Sequence, residues 1–105
     1  MSQVSVLAFI TAKPGKRAEV LAAFNDNVPT VHAEDGCIEY FAAVDTATAG
    51  PIQTPVGEDT FVVIEKWESM DHLKAHGASD HMKAYAGQVK DMLANRVIHV
   101  LSAAD

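Results

Sequence analysis

Four apolar, β-branched runs and two helical stretches, ordered β-α-β-β-α-β along 105 residues, predict an α+β chain of the ferredoxin-like, split βαβ type. Such a chain forms a four-stranded antiparallel sheet with its helices on one face. The length supports this, because 105 residues suit one compact domain and leave no room for two. A further observation concerns packing: the strands are apolar on both sides, more than a sheet with one wet face requires.

Each element has its own signal. Residues 3–12 are apolar and β-branched and end at Lys13-Pro14-Gly15, a turn. From Lys16, Leu21, Phe24, Val28 and Val31 recur at helical spacing. Pro29 lies inside that stripe and removes a backbone donor, so a kink or break is expected around residues 25–28. Gly36 is the expected C-terminal cap. Residues 37–45 read as the second strand. Residues 46–58, with Pro51 and Pro55, read as a long loop, either a lid or a variable insertion at a dimer edge. Residues 60–67 form the third strand. Ser69 is an N-cap for a short helix ending near Gly77. Ser79 or Asp80 caps the next helix, with Met82, Tyr85, Val89 and Met92 as its stripe. Residues 96–101 make the fourth strand.

The two-sided strands predict an assembly. Val4, Val6, Ala8 and Ile10 alternate with Leu7 and Phe9 in the first strand. The third and fourth strands repeat the pattern with Val62 and Ile64 against Phe61 and Val63, and with Ile98 and Val100 against Val97 and Leu101. Helices cover one face. A second copy packed sheet to sheet is the simplest cover for the other, so a homodimer is expected. The alternative is a monomer whose 46–58 loop folds over the sheet.

Composition excludes several partners. The formal net charge of −6 argues against nucleic acid, whose phosphates need clustered Lys and Arg. No basic run suggests an anionic membrane surface, and no apolar stretch approaches the roughly 20 residues of a spanning helix. The N-terminus reads as a strand rather than a signal peptide. The single cysteine, Cys37, cannot form an internal disulfide, which fits a cytoplasmic location. Its apolar neighbours suggest a buried, inert thiol.

The candidate chemistry lies between Glu58 and Tyr85. Glu65 and Trp67 share a strand face with Phe61 and Val63. A carboxylate on an apolar face must be paired, hydrogen-bonded or shifted in pKa. It is read either as a base or orienter of a histidine, or as a structural tie. The Trp67 indole either walls a flat ligand or fills the core. His72 and His76 share a helical face, but no third ligand accompanies them, so no metal is expected. His76, at a helix end, is either a base or a partner of backbone carbonyls. His81 and Tyr85 share a face of the next helix. Tyr40 lines a pocket or packs in the core. His32 and His99 read as surface or interface residues, and residues 25–27 as a solvated stretch.

The runs VPTVHAEDGCIEY, VIEKWESMDHLKAH and HMKAY together resemble the antibiotic-biosynthesis-monooxygenase family, and within it the small bacterial quinol monooxygenases. The resemblance covers nearly the whole chain. It implies a dimeric ferredoxin-like fold, that is, a dimeric α/β barrel. It also implies oxygenation of reduced quinols or related polycyclic phenols by O₂ without a cofactor. On that basis His76 is the first choice of proton acceptor, with Glu65 as its orienter or alternate and Trp67 beside them. Trp67, Phe61 and Tyr40 sandwich the ring, and His81 and Tyr85 stand in the second line. The chain departs from the antibiotic-tailoring relatives, whose strand-three Asn corresponds to Val63. It also lacks the strand-one Asn of the haem-degrading relatives. Two other functions fit the fold: a planar-metabolite or quinone binder without turnover, and an isomerase of a small phosphorylated compound using Lys66, Lys74 or Lys83.

Overall fold

The computed structural model describes residues 2–105. Its elements are β1 (Val4–Ala12), α1 (Arg17–His32), β2 (Cys37–Ala43), β3 (Thr60–Trp67), α2 (Met70–Gly77), α3 (Asp80–Val89) and β4 (Leu93–Leu101). The strands form one sheet in the order β2-β3-β1-β4, and every pairing is antiparallel. This is the ferredoxin-like order, in which each βαβ half returns its strand beside the other half.

Register decides which side chains meet. Val6 lies opposite Glu65 on one side and Val100 on the other. Tyr40 lies opposite Glu65 from β2. The inner face therefore carries Val4, Val6, Ala8 and Ile10 of β1 with Phe61, Val63, Glu65 and Trp67 of β3, all buried. Helix α1 covers it with Val20, Phe24 and Val31. Phe24 stacks on Tyr40 at a centroid distance of 5.0 Å and meets Phe61 edge-on at 5.9 Å. Truncating a buried aromatic at such a junction costs about 3–5 kcal/mol. β4 is the exception. Its inner-face Ile98 is 49% exposed and Val100 46%, because the helices stop short of this edge.

Local differences from the sequence reading have physical causes. Helix α1 runs through Pro29 without a break. The carbonyl that loses its donor is that of Asn25, which is exposed and can be solvated. The helix ends at His32 with Ala33 as its cap, not at Gly36. Gly36 instead turns the chain into β2 with φ +83°. A Cβ there would collide with the His72 ring, 2.3 Å from Cγ. β4 starts at Leu93, earlier than residue 96, because pairing with β1 continues past an irregularity at Thr11/Ala12. Ser69 caps α2 by accepting from the His72 N–H, and Ser79 rather than Asp80 caps α3 by accepting from the Met82 N–H.

The outer face remains apolar. Leu7, Phe9, Val62 and Ile64 are half-buried, and Phe41, Val97 and Leu101 are 42–45% exposed. The 46–58 loop does not cover them. The Asp45 carboxylate fastens it by accepting from the Val56 and Gly57 N–H groups at 2.9 and 3.0 Å, which holds the Asp45 pKa below its usual value. Arg17 donates to the Gly57 and Thr60 carbonyls. Ile52 in the loop is 91% exposed. Among the described residues no helix is long and apolar enough to cross a membrane.

Candidate active site

A cavity of about 450 Å³ separates the inner sheet face from the helices, within the size range of small-molecule sites. Its walls are mostly apolar, with Val6, Ala8 and Ile98 from the sheet and Leu73 and Met82 from the helices. Polar side chains interrupt these walls, among them Tyr40, Glu65, His76 and Tyr85.

His76 is the organising group. It lies in the last turn of α2, but its ring turns inward and is buried. It makes no helix-end bond to a carbonyl. Its Nδ1 donates to Glu34 Oε2 at 2.7 Å, the length of a charge-assisted bond. That bond fixes the tautomer, so Nε2 holds the free lone pair of the neutral ring. The Trp67 ring lies 4.7 Å away and the Tyr40 ring 5.4 Å away. An imidazolium formed here would meet both the Glu34 carboxylate and the indole face.

Glu65 does not orient His76 through a hydrogen bond; Glu34 does. Glu65 Oε1 accepts from Trp67 Nε1 at 2.9 Å. Burial pushes its pKa above the usual carboxylate value, opposed by the Trp67 bond and the charge of His76. It is thus both a structural tie and a wall of the cavity. Burial also raises the phenol pKa values, that of Tyr40 with help from the Glu65 charge and that of Tyr85 to about 12. Both phenols stay protonated near neutral pH and can donate to a substrate oxygen.

The expected aromatic sandwich is only partly present. Tyr40 lines the cavity, whereas Trp67 and Phe61 are fully buried and are not among its lining residues. The indole fills the core behind His76 rather than touching a ligand. His81 also lies outside the lining. Its Nδ1 is 3.2 Å from the Asn27 amide nitrogen, which donates to it, so its proton sits on Nε2. That nitrogen is 3.1 Å from Glu34 Oε2, yet the approach is too bent for a hydrogen bond, and it is buried without a bonded partner. Glu34 therefore stands between two imidazoles.

Sequence reasoning missed Glu34 and Asn27. Glu34 falls in the turn before β2 and meets His76 42 residues later, a pairing no local pattern announces. Asn27, read as solvated, is half-buried against α3. No residue of the 46–58 loop lines the cavity, so the structure gives no lid. Of the cations considered for a phosphorylated substrate, Lys83 lines the cavity. Lys66 pairs with Glu39 instead, at 3.8 Å. Lys74 is absent from the lining. Cys37 is half-buried, and burial with the charges of Glu34 and Glu65 keeps its thiol protonated.

A ferredoxin-like sheet with a buried imidazole–carboxylate pair facing an apolar cavity defines a class of small α+β proteins that hold an organic molecule beside a proton acceptor. The chain belongs to the antibiotic biosynthesis monooxygenase family, whose profile matches residues 3–88. It is similar to YgiN of Escherichia coli strain K12, named a probable quinol monooxygenase, with 41% identity over 100 residues that span 93% of this chain and 95% of that one. Among solved structures it resembles Rv0793 of Mycobacterium tuberculosis, with a TM-score of 0.80, 26% identity, and 99% and 97% of the two chains covered. PA3566 of Pseudomonas aeruginosa shares the fold with a TM-score of 0.83 at 23% identity, over 100% and 97% of the chains. Family and relatives make the chain a monooxygenase.

Proposed function

We propose that the protein oxidises reduced quinols, or related polycyclic phenols, with O₂ and without a flavin or metal. The observation that carries this reading is the 2.7 Å bond from His76 Nδ1 to Glu34, which leaves Nε2 free to act as a base in the largely apolar cavity that His76 lines. His76 Nε2 takes the proton of a phenolic O–H. The resulting quinolate is electron-rich enough to give one electron to O₂, and the two radicals combine at the ring carbon beside the C–O⁻. The peroxide takes up a proton, the same carbon loses its hydrogen as a proton, and the O–O bond breaks with loss of water. One oxygen atom stays on the ring as a carbonyl. For 1,4-dihydroxynaphthalene the balance is C₁₀H₈O₂ + O₂ → C₁₀H₆O₃ + H₂O.

The other side chains have positional roles. Tyr40 and Tyr85 donate to the quinolate oxygens. The apolar walls exclude water, which strengthens those contacts and protects the radical pair. Trp67 holds Glu65 and backs the imidazole. The cavity works on a rigid sheet, so the ring is held near the base without a closing loop. Reaction under ¹⁸O₂ tests the proposal. One labelled atom per product, lost with His76→Gln, is expected. Saturable binding with unlabelled product would instead indicate a planar-metabolite binder.

The homodimer belongs to the same proposal. The apolar outer face of β1, β3 and β4 suits a second copy packed sheet to sheet, giving a dimeric α/β barrel with one cavity per subunit. Such a face left in water would be a large exposed patch. The reaction is placed in the cytoplasm, where the reduced thiol of Cys37 and a reduced quinol would both persist.

A further inference from the structure

The cavity has a charged mouth that the chemistry above does not use. Lys83, Lys90 and Arg96 all line it. Lys83 lies on α3, and Lys90 follows seven residues later, just past the helix end, so both occupy one face. Ala86 lies between them and also lines the cavity. Across the opening, Arg96 lies opposite Ile10 in the β1–β4 register and so projects from the inner face of the edge strand that the helices leave uncovered. The Lys and Arg ion pairs among the described residues are Lys16–Glu19 and Lys66–Glu39. The three mouth cations have no carboxylate partner.

This distribution runs against the whole chain. Eight Lys and Arg stand against fourteen Asp and Glu, yet three of those eight line this one cavity with a single carboxylate, Glu65, whose burial disfavours its charge. Unpaired cations around an apolar cavity of an otherwise acidic protein concentrate positive potential where a ligand enters. Arg96 adds a planar fork suited to a carboxylate, and the two lysines add mobile point charges.

We infer that the ligand is an aromatic acid: a fused ring that lies against Tyr40 and His76, with an anionic substituent held at the mouth by Lys83, Lys90 and Arg96. This rests on reading the cavity as an aromatic site and adds that its occupant carries a permanent negative charge. The arrangement also sets orientation. An acid at the mouth drives the opposite edge of the ring, with its phenol, toward the base.

Two unreactive probes separate the two claims. 2-Naphthol and 6-hydroxy-2-naphthoate share a ring and a phenol and differ by one carboxylate. Titration calorimetry on the full chain at pH 7 and 0.1 M salt is expected to give at least tenfold tighter binding of the naphthoate. The advantage should shrink at 1 M salt, where screening shortens from about 10 Å to about 3 Å. In a Lys83→Met, Lys90→Met, Arg96→Met variant, which keeps the apolar stems, the affinity ratio should collapse to within twofold. Equal affinities in the parent protein, or a ratio that survives in the variant, would overturn the anionic ligand and leave the aromatic site standing. Failure of both probes to bind would overturn both claims.

Discussion

Replacing Glu34 with Gln isolates the group that makes His76 a base. The side chain keeps its shape and, through its amide oxygen, can still accept from Nδ1, but the charge is lost. The bond is 2.7 Å long and shielded, since the Glu34 side chain is 17% exposed and that of His76 6%. A hydrogen bond to a charged group contributes about 1.5–3 kcal/mol. In the proposed reaction the Glu34 charge is felt most when His76 becomes an imidazolium, so that energy falls mainly on the barrier. At roughly 1.4 kcal/mol per tenfold, kcat should drop about 10- to 100-fold, with KM little changed. The assay is initial-rate oxygen consumption with a reduced naphthoquinol, alongside thermal melting to show that the variant is folded. A folded Glu34→Gln protein with parental kcat would refute the assignment of His76 as the Glu34-oriented base.

Three further outcomes follow from the geometry. Gly36→Ala should destabilise the fold by about 2 kcal/mol, since a positive φ costs a Cβ-bearing residue roughly 1–2 kcal/mol and the new Cβ meets the His72 ring; differential scanning calorimetry should show Tm lower by about 10 °C. Glu65 has a raised pKa from burial, so the folded state holds its proton to higher pH than the unfolded chain, and stability is lost as pH rises through that window. Glu65→Gln should therefore gain Tm relative to the parent at neutral pH, with the difference shrinking toward pH 4; a gap independent of pH would contradict the burial argument. Light scattering should give a mass twice the 11.2 kDa of one chain, and Leu7→Lys on the outer face should shift it toward the monomer; a monomeric parent protein would sink the sheet-to-sheet dimer.

The fold was legible because its signals are local. The third strand, 60–67, stands as read, since an apolar β-branched run ends at a strong cap, Ser69. Both short helices were marked by their capping serines. Pro29 misled because the carbonyl it leaves without a donor belongs to exposed Asn25, where water can satisfy it. The site was legible in part. Periodicity put Glu65 and Trp67 on one face, and the helix placed His76 above it, but side-chain direction and depth are tertiary properties. Trp67 and Phe61 proved too deep to touch a ligand, and Glu34 acquired its role only when the turn before β2 met α2. Of the mouth cations the sequence offered Lys83 alone; Lys90 and Arg96 join it only after β4 pairs with β1.

The most direct test of the account is oxygen-electrode turnover of anaerobically reduced menadione in metal-free buffer, with catalase added at the end. Oxygenation consumes one O₂ per quinol and releases water, whereas autoxidation consumes one O₂ and leaves peroxide. The account predicts uptake that scales with protein, no oxygen returned by catalase, and loss of the protein-dependent rate with His76→Gln. Uptake equal with and without protein, or half the oxygen returned on adding catalase, would contradict it.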